Sequence, residues 1–200
     1  MSGAETSSPY SKGSPPTSRR YALVVIDFQN DLCRSEKRAH LIPQAIAATL
    51  RLIRGFCDAG MPVCYTQFAL ASDDPQFERF GDVYCVEGTP GAELVPDLQP
   101  LAGPVFRKTK HSAFVGTDLD TFLRSNGCDE VVLVGMQTQI CILLTAADAH
   151  HRGFDVSVVP EAVVSTQLDA KLDALAWINR YVGRTKPLAE IEEELKHVRG

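Results

Sequence analysis

The chain has 200 residues, 44% of them hydrophobic, enough for one well-buried core and too few for two comfortable domains. Its formal net charge of −5 and its scattered lysines and arginines argue against nucleic acid or an anionic membrane surface as the main partner. No apolar run approaches the ~20 residues that span a bilayer, and the N-terminus lacks the apolar core of a secretory signal.

Residues 1–19, MSGAETSSPYSKGSPPTSR, are rich in Ser, Pro and Gly and read as a disordered tail, leaving 20–200 as one domain. YALVVID is a short valine-rich run of the kind found in a central parallel strand. Ile46, Leu50, Ile53 and Phe56 recur at helical spacing after Pro43, which predicts a helix over 43–59, stopped by Gly60. MPVCYTQF is a second strand. The long connection 69–103 follows, with a short helix expected after TPG. VFRKT is a third strand, TDLDTFLRSNG a helix and EVVLVG a fourth strand. A helix over 139–152, the strand FDVSVVP, a helix over 167–180, a short strand near 181–185 and a final helix from 187 complete the pattern. Such alternation predicts an α/β fold: a three-layer, Rossmann-like arrangement of a mainly parallel sheet with helices on both faces. In such a sheet ligands bind at the carboxyl ends of the strands, near the point where strand order reverses. No GxGxxG and no GxxxxGK[ST] is present, so nothing cradles a dinucleotide or a nucleoside triphosphate.

Three strand ends carry chemistry. Asp27 closes the first strand, Lys108 lies at the end of the third, and Cys141 follows the fourth by one turn. Taken singly, each has a plain structural reading: a turn residue, a solvated lysine, a core thiol. Taken together, they make an acyl-transfer site if the strands are neighbours. A free cysteine has a pKa of ~8.5, so little of it is thiolate near neutrality. With Thr138 as helix N-cap, Cys141 falls in the first turn, where the helix dipole favours a thiolate, and Lys108 favours it further. Asp27 then serves as general base and later as acid. The uncapped N–H groups of 137–141 form an oxyanion site. The six cysteines, at 33, 57, 64, 85, 128 and 141, show no CxxC and no paired metal-ligand spacing, and a reducing, cytoplasmic setting is expected.

Four blocks in order now carry a resemblance: VVIDFQNDL around Asp27, GTPGAEL at 88–94, KTKHSAFVGTDLDTFL from Lys108, and GMQTQICILLTAADAHHRG around Cys141. From Tyr21 onward the chain resembles the isochorismatase-like cysteine hydrolase superfamily. The resemblance implies a six-stranded parallel sheet, an Asp27–Lys108–Cys141 triad with Lys110 as second candidate for the lysine, and a cis peptide at Met136–Gln137. It also implies oxyanion donors at the N–H groups of Gln137 and Cys141. Two departures narrow the activity. The metal-binding histidines of the family's nicotinamidases have no counterpart in QFALASDDPQFERFG, so no metal and no cofactor is expected. The cysteine absent from the family's vinyl-ether hydrolases is present here. His150 and His151, at the end of a helix, read as cationic caps rather than ligands.

The function expected is therefore hydrolysis of a C–N bond in a small amide, carbamoyl, ureido or lactam substrate through a thioester. Phe28, Asn30, Phe68, Phe114, Gln137 and Gln139 are the expected pocket lining. A vinyl ether hydrolase and a non-catalytic interaction module on the same scaffold stay open as alternatives. A homo-oligomer is expected, with apolar segments near 68–85 reaching over a neighbour's pocket.

Overall fold

The computed structural model describes residues 19–34, 39–100 and 103–198; most of the predicted tail, 1–18, lies outside them. Six strands form one sheet in the order β3-β2-β1-β4-β5-β6, and every neighbouring pair runs parallel. They are β1 (Tyr21–Ile26), β2 (Val63–Phe68), β3 (Val105–Lys108), β4 (Glu130–Met136), β5 (Asp155–Val164) and β6 (Arg184–Thr185). The helices are α1 (Asn30–Cys33), α2 (Ile42–Asp58), α3 (Gln76–Phe80), α4 (Leu119–Ser125), α5 (Leu143–His151), α6 (Leu168–Tyr181) and α7 (Leu188–Val198).

Alternation along β1 explains the three layers. Tyr21, Leu23 and Val25 face a core shared with α2 and α7, whereas Ala22, Val24 and Ile26 face a second core shared with α4, α5 and α6. A strand buried on both faces needs an apolar residue at every position, which is why YALVVI shows no polar–apolar alternation. The buried face of α2 runs through Ile42, Ala45, Ala48, Leu52, Ile53 and Phe56, while Ile46 and Leu50 sit at its edge.

Several predicted elements differ in detail. The helix expected after TPG is a single 3₁₀ turn at Pro96–Leu98, and α1 and α3 were not anticipated, being only four and five residues long. The segment 88–94 docks on the turn after β1. There the Asn30 and Asp31 N–H groups donate to the Glu93 and Gly91 carbonyls (2.9 Å each), and the Val95 N–H donates to the Phe28 carbonyl (2.9 Å). The fifth strand runs four residues beyond FDVSVVP. Arg19, assigned from sequence to the tail, is instead tied to the domain: its guanidinium meets Glu130 (2.5 Å) and Asp155 (2.6 Å). Glu130 is buried, and it also meets Lys186 (3.0 Å) and the Ser157 hydroxyl, closing the amino end of the sheet with a charged network.

Within the segment 68–85, Phe68, Leu70, Phe77 and Cys85 are buried in the chain's own core, Phe80 and Tyr84 are half-buried, and Val83 is exposed. Among the described residues no helix is long and apolar enough to cross a membrane.

Candidate active site

Chain order reverses between β1 and β4, and that point holds the site. Gly135 makes the approach possible: it has φ +120°, and a Cβ built there would stand 2.0 Å from the Ile26 carbonyl oxygen. Only glycine lets the end of β4 lie this close to the end of β1. One residue on, Asp27 takes φ 52°, a left-handed conformation that costs a non-glycine residue about 1–3 kcal/mol and that its surroundings must enforce. Its N–H donates to the Thr66 carbonyl (3.3 Å), and its own carbonyl accepts from the Gln29 N–H (2.8 Å).

The three strands are not contiguous. β2 separates β1 from β3, so Lys108 has to reach across it, and its long side chain does so. The Lys108 Nζ stands 2.6 Å from Asp27 Oδ2 and 3.6 Å from Cys141 Sγ. It also donates to the carbonyls of Lys110 and His111 (3.1 Å each). Neither the Asp27 nor the Lys108 side chain has any exposure. The intervening strand contributes Thr66, whose hydroxyl donates to Asp27 Oδ1 (2.7 Å). Thr66 was missed in the sequence, where a threonine inside a strand has an ordinary explanation in β-propensity. Lys110, the second candidate, is exposed and serves through its carbonyl.

The turn that carries Cys141 is not the capped helix expected. Thr138–Ile142 is a π-helical turn in which the Ile142 N–H bonds the Gln137 carbonyl five residues back (3.1 Å), and α5 begins only at Leu143. Thr138 is fully buried, and its hydroxyl donates to the Val164 carbonyl on β5 (3.0 Å), so it anchors the turn to the sheet instead of capping a helix. The Met136–Gln137 peptide is cis.

The electrostatics also correct the sequence reading. Burial, followed by the Asp27 carboxylate, pushes the Cys141 thiol up to about 12, against the smaller downward pull of Lys108 and the Gln137 N–H. Burial therefore outweighs lysine and turn and favours the thiol over the thiolate. Burial would pull Lys108 down, but Asp27 and Cys141 together hold it above its ordinary value. A brief iodoacetamide pulse at neutral pH is expected to label the exposed Cys57 first and Cys141 only slowly, as read by peptide mass mapping. Labelling of Cys141 ahead of Cys57 would mean that the thiol ionises despite its burial.

Of the expected lining, Phe68 lies at the site, its ring 5.2 Å below the Lys108 ammonium. Gln137 and Gln139 flank the cysteine, and the Gln139 amide donates to the Gln137 side-chain oxygen (3.3 Å). Three residues are corrected. Phe28 is fully buried in the core and offers a ligand no surface. The Asn30 side chain donates to the Pro90 carbonyl (2.8 Å) and so holds the 88–94 segment. Phe114 stacks on Phe154 (6.1 Å) at the start of β5, the opposite end of the sheet, beneath the Arg152 guanidinium. In its place stands His111, unassigned from sequence, with Nδ1 4.0 Å from Cys141 Sγ. Ser112 and Ala113 pin the loop that carries it to α5, through the Asp148 carboxylate and the Thr145 hydroxyl. His150 and His151 are exposed in the last turn of α5, away from these groups. Among the described residues no group of three His, Cys, Asp or Glu side chains is placed to hold a metal ion.

Comparison with known proteins identifies the family. The profile of the Isochorismatase domain matches residues 21–189. The maleamate amidohydrolase of Pseudomonas putida is 34% identical over 196 residues, spanning 91% of this chain and 90% of its own. The nicotinamidase/pyrazinamidase of Mycobacterium tuberculosis is 31% identical over 170 residues, spanning 77% and 91%. The crystal structure of N-carbamoylsarcosine amidase from Thermoplasma acidophilum superposes with a TM-score of 0.78 at 32% identity, covering 86% of this chain and 98% of that one. The chain belongs to the isochorismatase-like hydrolase family and is an enzyme of it.

Proposed function

We propose that the chain is a cysteine-dependent amidohydrolase that cleaves a C–N bond in a small amide, carbamoyl, ureido or lactam substrate through a thioester on Cys141. The convergence of Asp27, Lys108 and Cys141 at the reversal point carries the reading. Relatives named for amide hydrolysis support the bond class. Asp27 takes the thiol proton as Sγ attacks the carbonyl carbon, and the oxyanion rests on the N–H groups of Gln137 and Cys141. Asp27 passes that proton to the departing nitrogen as the C–N bond breaks, then draws one from the water that opens the thioester. Returning it to sulfur restores the thiol. A thiol held at about 12 suits this order, because deprotonation is coupled to attack and no anion waits in the ground state. Lys108 fixes the carboxylate throughout. The cycle draws on no metal, in keeping with a 69–81 segment that lacks histidine.

Intact-protein mass spectrometry after rapid acid quench tests the intermediate, with maleamate, nicotinamide and N-carbamoylsarcosine as first probes. A mass increase equal to the acyl portion, mapping to Cys141, is expected with any probe that releases ammonia. Ammonia release with no adduct at Cys141, even in an Asp27→Asn variant that slows deacylation, would remove the thioester.

A further inference from the structure

His111 has no part in that cycle, yet its Nδ1 stands 4.0 Å from the Cys141 sulfur. Its ring stacks 6.0 Å from Phe68 and lies 5.7 Å from Phe80, and Tyr84 completes the cluster 5.7 Å from Phe80. His111, Phe80 and Tyr84 are half-buried, whereas the Asp27 and Lys108 side chains are sealed and Cys141 is 8% exposed. These rings form one side of the partly open surface next to the sulfur, and Gln137 and Gln139 form another. A gap of 4.0 Å between Nδ1 and Sγ admits no heavy atom between them, so a carbon bonded to sulfur lies beside the imidazole edge.

The charge around the ring fixes what that edge offers. Asp27 faces it from the end of β1, Lys108 from β3, Lys110 from its own loop and Cys141 from the π-turn, while Phe68, Phe80 and Tyr84 form an uncharged wall. Burial, and then Lys108, hold the imidazole below its ordinary pKa, so it is neutral at neutral pH. Nδ1 is the nitrogen that faces the sulfur, and a neutral ring with its proton on Nε2 presents Nδ1 there as an acceptor.

We infer that His111 is a specificity-determining residue that touches substrate: its unprotonated Nδ1 accepts a hydrogen bond from an N–H adjoining the scissile carbonyl. The inference rests on the thioester reading above. It goes further in assigning to this chain a preference for substrates that keep such an N–H over those in which it is methylated or absent.

The test uses a primary carboxamide beside its N,N-dimethyl counterpart, and a monosubstituted urea beside its fully N-methylated counterpart. They are assayed with the wild type, with His111→Phe, which keeps the stack and removes the nitrogen, and with His111→Gln, which restores an acceptor that does not titrate. The wild type should favour the N–H compound by about tenfold in kcat/KM, the worth of one well-made hydrogen bond. His111→Phe should lose that preference through KM with kcat nearly unchanged, and should lose an acid limb of the pH profile that the wild type shows. His111→Gln should keep the preference without the limb. Equal preference in wild type and His111→Phe overturns the inference, as does a loss of kcat and KM together on every compound. An adduct on Cys141 with unchanged preference removes the histidine alone; no adduct in the wild type removes the thioester and this inference with it.

Discussion

Cys141→Ala is expected to lower turnover by about four orders of magnitude or more while leaving substrate binding largely intact. On the proposed mechanism, removing Cys141 abolishes the covalent step, and the remaining groups act only on an uncatalysed attack by water. The site predicts a particular asymmetry between Cys141 and its base. Cys141→Ala can form no adduct. Asp27→Asn keeps the shape and the Thr66 contact but cannot accept the thiol proton, and with the Cys141 thiol pushed up to about 12 little of it ionises near neutrality. The Asp27 variant should therefore acylate slowly and deacylate more slowly still, so that any adduct persists. Steady-state ammonia release, binding by calorimetry and quench mass spectrometry together separate these failures. An alanine variant with undiminished turnover on the true substrate would end the nucleophile hypothesis. It would favour acid–base chemistry through Asp27, as a vinyl ether hydrolase requires.

Lys108→Met is expected to cost about 3–5 kcal/mol of stability as well as most of the activity, because it leaves the Asp27 carboxylate buried without its cation. The methionine fills much of the same volume, so the loss reports charge more than packing. Activity falls because a buried carboxylate deprived of its partner takes up a proton and ceases to be a base. The wild-type pair also predicts a direction with pH. Lys108 and Cys141 both have folded-state values above their ordinary ones, so above about pH 8.5 the native chain holds protons that the unfolded chain has released. The stability they confer is complete below that pH and is lost as pH rises towards 12. Cys64, Cys85 and Cys128, raised by burial, add to the same trend. Urea melts at pH 7 and pH 10.5 measure both effects. A Lys108→Met protein as stable as the wild type at pH 7 would mean that the buried pair contributes no net stability.

What could be read from the sequence was whatever depends on burial and periodicity. The valine-rich runs specify strands buried on both faces, and strands alternating with amphipathic helices leave a parallel sheet as the arrangement that hides them. Asp27, Lys108 and Cys141 could be picked out because each breaks an apolar pattern at a strand end, where a doubly wound sheet gathers its ligands. Tertiary structure decided the rest, and in each case the reason is that the deciding contact joins distant parts of the chain. Strand order puts β2 between β1 and β3, and so turns Thr66 from a strand former into a partner of Asp27. The turn before Cys141 takes a π-helical form, and Thr138 bonds to β5 instead of capping. Phe28 and Phe114 went into the core and to the far end of the sheet, because an aromatic residue beside a motif carries no mark of the side to which its chain turns. The thiol's acidity could not be read at all. A helix end and a nearby lysine argue for a thiolate, but the dehydration of a sulfur buried beside a carboxylate outweighs both, and that dehydration exists only once the sheet has closed around it.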